Sequence, residues 1–124
     1  MIADILKPLQ QRYAHRIQWS DDTWSDLNSG WIPLLDKFLE KVSNLEGMEE
    51  FRIRQVKQKM GQLVVYYAVQ PEHYRLIVQP FLDEAKNEAS CTCEICGESG
   101  TLRTNLPYLQ VLCSDHAVTD EVLH

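Results

Sequence analysis

Apolar side chains recur along residues 2–17 at Ile2, Ile5, Leu6, Leu9, Tyr13 and Ile17, a helical spacing that predicts an amphipathic helix. Lys7, Arg12 and Arg16 fall on its other faces, and the modest apolar stripe with Pro8 fits core packing better than a membrane surface. A stronger stripe follows at Trp31, Leu34, Leu35, Phe38, Leu39, Val42 and Leu45. It predicts a helix capped by Ser29 or Asn28, with Pro33 in its first turn and Gly47 past its end. A third stripe, Tyr74, Ile77, Val78, Phe81, Leu82 and Ala85, opens after Pro71. Pro80 lies inside it and is expected to kink or divide the helix, because proline lacks the N–H of the helical ladder.

Between the second and third helices the period shortens. Phe51 and Ile53 alternate with Arg52 and Arg54, as in a half-buried strand. Leu63 to Val69 is β-rich and nearly all apolar, which predicts a strand covered on both faces, and Gly61 between the two runs marks a hairpin turn. A third strand could come from residues 101–112; otherwise the hairpin rests on the helices alone. Residues 18–31 read as a polar, turn-rich linker that holds Trp19, Trp24 and Trp31. Tryptophans on such a segment either anchor a partner or fold back as lids over the core. These elements imply an α+β fold: a single small domain of amphipathic helices packed on a β-hairpin or small antiparallel sheet. The helical and hairpin core spans 1–90, and a C-terminal zinc-knuckle module over 91–124 packs on it.

The module is read from its ligands. Cys93 and Cys96 form a CxxC pair, and Cys113 and His116 form a CxxH pair after sixteen intervening residues. Two ligands three positions apart reach one ion from a single turn, and two such half-sites complete the tetrahedron that zinc prefers. Gly97 follows Cys96 where a knuckle needs φ > 0. Three thiolates and one imidazole fill the coordination shell, so the single Zn²⁺ is expected to be structural, with no position left for an activated water. No His-x-Glu precedes Cys93 and no His-Glu-x-x-His occurs in the chain. A zinc-braced nuclease would need a catalytic histidine between the pairs, and residues 97–112 contain none. His15 and His73 stand alone on predicted helices, without a nucleophile beside them. Cys91, in Cys-x-Cys relation to Cys93, chelates poorly and reads as a spare thiol.

Composition narrows the function further. The 124 residues are 44% hydrophobic and 24% charged, ordinary for one globular domain. The formal net charge of −6 argues against a general nucleic-acid binder, which carries a basic footprint. Arg52, Arg54, Lys57 and Lys59 are the one basic island, either solvating an exposed strand or binding an anionic partner. Asp21, Asp22 and Asp26, or Glu46, Glu49 and Glu50, could instead meet a basic partner, although a charge cluster is more often a solvated face. No apolar run has the length of a membrane span, and the start carries no signal-peptide core. Paired knuckle cysteines without a signal sequence favour a reduced cytoplasm.

Three blocks carry a resemblance: Gly30-Trp31; Gln55-Val56-Lys57-Gln58-Lys59-Met60-Gly61-Gln62-Leu63 with Tyr66; and Cys93-Glu94-Ile95-Cys96-Gly97, Gly100-Thr101-Leu102-Arg103 and Leu112-Cys113-Ser114-Asp115-His116. Together they resemble a group of small bacterial and prophage-encoded zinc proteins over residues 30–116. The chain departs from that pattern at Gln62, at Val64 and at Asn105-Leu106-Pro107-Tyr108. The resemblance implies a zinc-carrying accessory protein and transfers no activity. The expected function is a non-enzymatic protein-binding module, of immunity or antitoxin type or a prophage accessory protein. Its partner is a protein, such as a toxin or a phage or host protein, with Arg52, Arg54, Lys57, Lys59, Trp19 and Trp24 as candidate contacts. The alternative is a nucleic-acid-associated accessory factor that uses the same basic strand with Arg103.

Overall fold

The computed structural model describes residues 4–14, 16–25, 27–47, 50–104 and 108–117, the side chains of 21–24 excepted. The chain is α+β. A 3₁₀ turn, Asp4–Leu6, leads into helix α1, Lys7–Tyr13, which is shorter than its apolar stripe. Strand β1 is Gln18–Ser25, helix α2 is Ile32–Ser43, and strands β2 and β3 are Arg52–Lys59 and Gln62–Ala68. Helix α3 is Arg75–Ala89. Two short strands, β4 (Thr101–Arg103) and β5 (Gln110–Leu112), close the described chain together with a helical turn at 114–117.

The segment expected to be a linker supplies the third strand instead. β1 pairs parallel with β2, Gln18 opposite Arg52 and Trp19 opposite Ile53, with α2 as the crossover between them. Its polar sequence suits its place at the sheet edge, where charge discourages pairing with another chain. Residues 101–112 do not extend this sheet; they form the separate antiparallel pair β4–β5. The hairpin β2–β3 turns through Met60 and Gly61, both at positive φ (54° and 81°), as a two-residue turn that matches strand twist requires.

The helices cover one face of the sheet. Leu35, Phe38, Leu39 and Val42 of α2 and Val78, Leu82 and Ala85 of α3 pack with Ile53, Val56, Leu63, Val65 and Tyr67 in one core. Phe51 links the layers, edge-on to Phe38 and stacked on Tyr67 at 5.3 Å. The opposite sheet face stays open: Val64 and Ala68 are only half-buried, and Tyr66 is 45% exposed. β3 is therefore covered on one face rather than on both. α3 runs through Pro80 as one helix, so of the expected kink or division the division does not occur. The carbonyl left without its helical donor is that of Leu76, on an exposed turn where water can serve it.

Lys37–Glu88 (3.0 Å) and Lys41–Glu84 (2.7 Å) join α2 to α3 along their solvent edge. α1 is tied to α2 through Asp36, whose carboxylate accepts from both Arg12 and the Tyr13 hydroxyl. Among the described residues no helix is long and apolar enough to cross a membrane.

Candidate metal centre

Cys93, Cys96, Cys113 and His116 converge, and their donor atoms all lie within 4.8 Å of one another. Cys93 and Cys96 come from the loop after α3, and Cys113 and His116 from the end of β5 and the helical turn behind it. Cys96 Sγ stands 3.7 Å from Cys113 Sγ, and His116 Nδ1 lies 3.6 Å from Cys93 Sγ and 3.1 Å from Cys113 Sγ. The four residues predicted from spacing are thus brought together as one group able to hold a metal ion.

The backbone builds each half-site. Gly97 N–H donates to Cys93 O (2.9 Å), closing the knuckle with Gly97 at φ +84°. Cys93 N–H donates to Glu98 O and Ala117 N–H to Cys113 O, so both halves are single backbone turns. The His116 amide holds the Cys113 thiol below its ordinary pKa. Burial pushes Cys93 upward, but the amides of Cys113, Cys96 and Ile95 together outweigh it, and the net direction is down. At Cys96 the Glu98 amide pulls downward, while burial and the neighbouring sulfurs of Cys113 and Cys93 push up and prevail. Two of the thiols are thus eased toward ionisation, and the third is held back by its neighbouring sulfurs, a repulsion that a cation among them would remove.

Cys91 is outside the group. It is exposed, with its thiol 3.4 Å from the Glu88 carbonyl at the end of α3.

The Gly30-Trp31 pair explains how the module is seated. Gly30 N–H donates to Glu94 O (2.9 Å), and Trp31 Nε1 donates to Thr92 O (2.8 Å). A Cβ on Gly30 would lie 2.2 Å from Cys93 O and 2.7 Å from Glu94 O, so only glycine permits the approach. Ser29 does not cap α2; its hydroxyl donates to Ile95 O, on the knuckle itself. Periodicity puts Trp31 on the helix stripe and Gly30 in a turn-rich segment, and it does not report that either pairs with the knuckle. No periodic pattern reports the surroundings of Glu94 either. It is 4% exposed, and its carboxylate accepts from Gln58 Nε2, Gln110 Nε2 and the Val111 amide.

The other candidates are dispersed. Arg52 and Lys59 are exposed and Lys57 half-buried on the open sheet face; Arg54, also exposed, sits in the β2 bulge between Ile53 and Gln55. Lys57 Nζ lies 5.3 Å from the Tyr66 ring centre, and Arg52 donates to Gln18 Oε1. Trp19 packs against the core, its indole nitrogen buried without a partner among the described residues. The side chains of Trp24, Asp21 and Asp22, together with His15, Asp26, Glu49 and residues 105–107, lie outside the described residues. His73 is exposed with its ring edge-on to Tyr74.

No protein-family model, curated protein or solved structure matches the chain significantly.

Proposed function

We propose that the protein is a non-enzymatic, zinc-stabilised module that binds an acidic protein partner through the open face of its sheet. The metal is read as Zn²⁺ from the donor set. A tetrahedron with Zn–S near 2.3 Å and Zn–N near 2.0 Å has S–S edges of about 3.8 Å and S–N edges of about 3.5 Å. The 3.7 Å Cys96–Cys113 and 3.6 Å Cys93–His116 separations are close to those edges, while Cys113 and His116 at 3.1 Å stand closer than an S–N edge. Four protein donors complete the shell, which favours a brace over a catalytic centre.

The observation that carries the binding role is the composition of the open face. In a chain of net charge −6, Arg52, Lys57 and Lys59 share the open sheet face with Tyr66, Lys57 lying over its ring, and Arg54 sits at the adjoining bulge. Charge complementarity points to an acidic surface, and the aromatic gives it a contact that can be desolvated. An inhibitor of immunity or antitoxin type, or a prophage accessory protein acting in the cytoplasm, fits this reading and the sequence resemblance. Basic side chains around an exposed aromatic also suit single-stranded nucleic acid, and that is the second reading.

The test is native mass spectrometry of protein purified from its own cells without chelator, comparing wild type with a Lys57→Glu/Lys59→Glu variant. One zinc in both samples, and an acidic protein retained by wild type alone, is the expected result. A partner retained equally by the variant overturns the sheet-face assignment. Co-purifying nucleic acid lost in the variant selects the second reading.

A further inference from the structure

Beside the metal centre lies a polar cleft of about 230 Å³ lined by Asn28, Gln58, Glu94, Tyr108 and Gln110. It is smaller than the roughly 300–1,000 Å³ pockets that hold drug-sized ligands. Its size suits one side chain or a small ion. Its buried base is the Glu94 carboxylate, and Tyr108, 76% exposed, stands at its rim. Among the described residues no other aromatic lines it.

The hydrogen bonds fix the polarity of the cleft. Gln110 Nε2 donates to Glu94 Oε1 (3.1 Å), while Gln58 Nε2 and the Val111 amide donate to Oε2 (both 3.2 Å). A carboxylate has about four acceptor positions, so three donors leave one, on Oε1. Gln110, with its amide nitrogen committed to Glu94, offers its Oε1 as an acceptor, and Asn28 adds a further amide oxygen. Among the described residues no lysine or arginine pairs with Glu94. A tie between β2 and β5 accounts for the three donors. It does not account for the open cleft above them or for the tyrosine at its edge.

We infer that this cleft is a binding site for a guanidinium group. A guanidinium presents five N–H donors in one plane, which can serve several oxygens at once while its face lies on an aromatic ring. An ammonium is a compact, strongly hydrated point charge and uses such a site less well. The group can arrive on a small free compound or on the arginine of a partner protein. The site is separate from the open sheet face, and the two assignments fail independently.

The experiment is an NMR titration of the full chain with N-acetyl-arginine methylamide, with the lysine analogue and methylguanidinium as parallel arms. Saturable shifts at the amides of Glu94, Tyr108, Gln110 and Val111 are expected, with the lysine compound weaker. Tyr108→Ala, a surface change, weakens binding about two- to fivefold through the lost cation–π contact. Glu94→Gln weakens it tenfold or more, as loss of a charge-assisted hydrogen bond does. Lys57→Glu/Lys59→Glu leaves the titration unchanged. Equal affinity for methylguanidinium and the arginine compound supports a site for the group alone, and tighter binding of the arginine compound supports a partner side chain. Absence of saturation, equal binding of lysine, or no effect of Tyr108→Ala overturns the inference, whether or not the Glu94 variant folds.

Discussion

The sheet-and-helix body buries Trp31, Phe38, Phe51, Leu35, Leu39, Ile53, Leu63 and fifteen more apolar side chains in one continuous core, Val111 of β5 among them. The cysteine module buries Cys93, Leu112, Cys113 and Ala117, with Ile95 half-covered beside them. At roughly 1.5–3 kcal/mol per fully buried large apolar side chain, the first set can stabilise a fold against its chain entropy and the second cannot. Among the described residues the module's regular structure is two three-residue strands, β4 and β5, and the helical turn at 114–117. The body is therefore ordered by apolar burial, and the module by its four ligands and by the seat that Gly30 and Trp31 provide. One small chain uses both solutions, joined by the Gly30–Glu94 backbone hydrogen bond, by side-chain bonds from Ser29, Trp31 and Gln58, and by Val111 of β5, which packs into the body's core.

The largest expected effect breaks the comparison at the ligands. Structural zinc ligation is worth about 10–16 kcal/mol in isolated zinc-finger peptides at neutral pH, more than the module's apolar contacts supply. Cys113→Ser, or strong chelation of the wild type, should release the metal and unfold the C-terminal third. In hydrogen exchange, the amides of Cys93, Gly97 and Ala117 should lose protection while those of the β2–β3 hairpin keep theirs. If all amides stay protected in the metal-free variant, ligation is not what orders the module. If the hairpin opens in parallel, the two regions are one cooperative unit.

The same division governs what could be read from the sequence. The ligand set was legible because chelation imposes short, fixed spacings that survive without any knowledge of the fold. Stripes such as Leu35, Phe38, Leu39 and Val42 were legible because a helix must bury one face. β1 was not, because Gln18–Ser25 is an edge strand whose sequence is polar at six of eight positions and shows no alternating apolar pattern. The continuity of α3 through Pro80 depends on the freed carbonyl facing solvent, which periodicity does not report. The Gly30–Cys93 approach and the Glu94 cluster join residues far apart in the chain. Contacts of that kind appear only once the fold brings the elements together.

A smaller effect sharpens the comparison at the seam. Gly30→Ala places a Cβ 2.2 Å from the Cys93 carbonyl oxygen, against backbone atoms that have no rotamer to yield. The expected cost is about 1–3 kcal/mol, as for other forced overpacking, and it falls on docking rather than on ligation. Trp31→Phe should cost a similar amount, because it leaves the Thr92 carbonyl without its indole donor. Both variants should bind one equivalent of zinc, measured by a chromophoric chelator, while their urea midpoints fall. Loss of metal from Gly30→Ala would mean that seating and ligation are a single event.

The smallest effect lies wholly in the body and isolates its polar tie from its core. Burial, with the hydrogen bond to Asp36 second, pushes the Tyr13 hydroxyl up to about 12. Unfolded tyrosine titrates near 10, so the folded state favours the protonated phenol. That contribution is present in full below pH 10 and disappears as the pH rises through about 12. Tyr13→Phe should cost about 1 kcal/mol at pH 8, since Asp36 keeps its Arg12 partner. Between pH 9 and pH 11.5 the wild-type urea midpoint should fall more steeply than that of the variant, because every other titrating group is common to both. Parallel slopes would mean that Tyr13 is not protonation-linked to folding, and that the tie between α1 and α2 rests on packing and the Arg12–Asp36 pair.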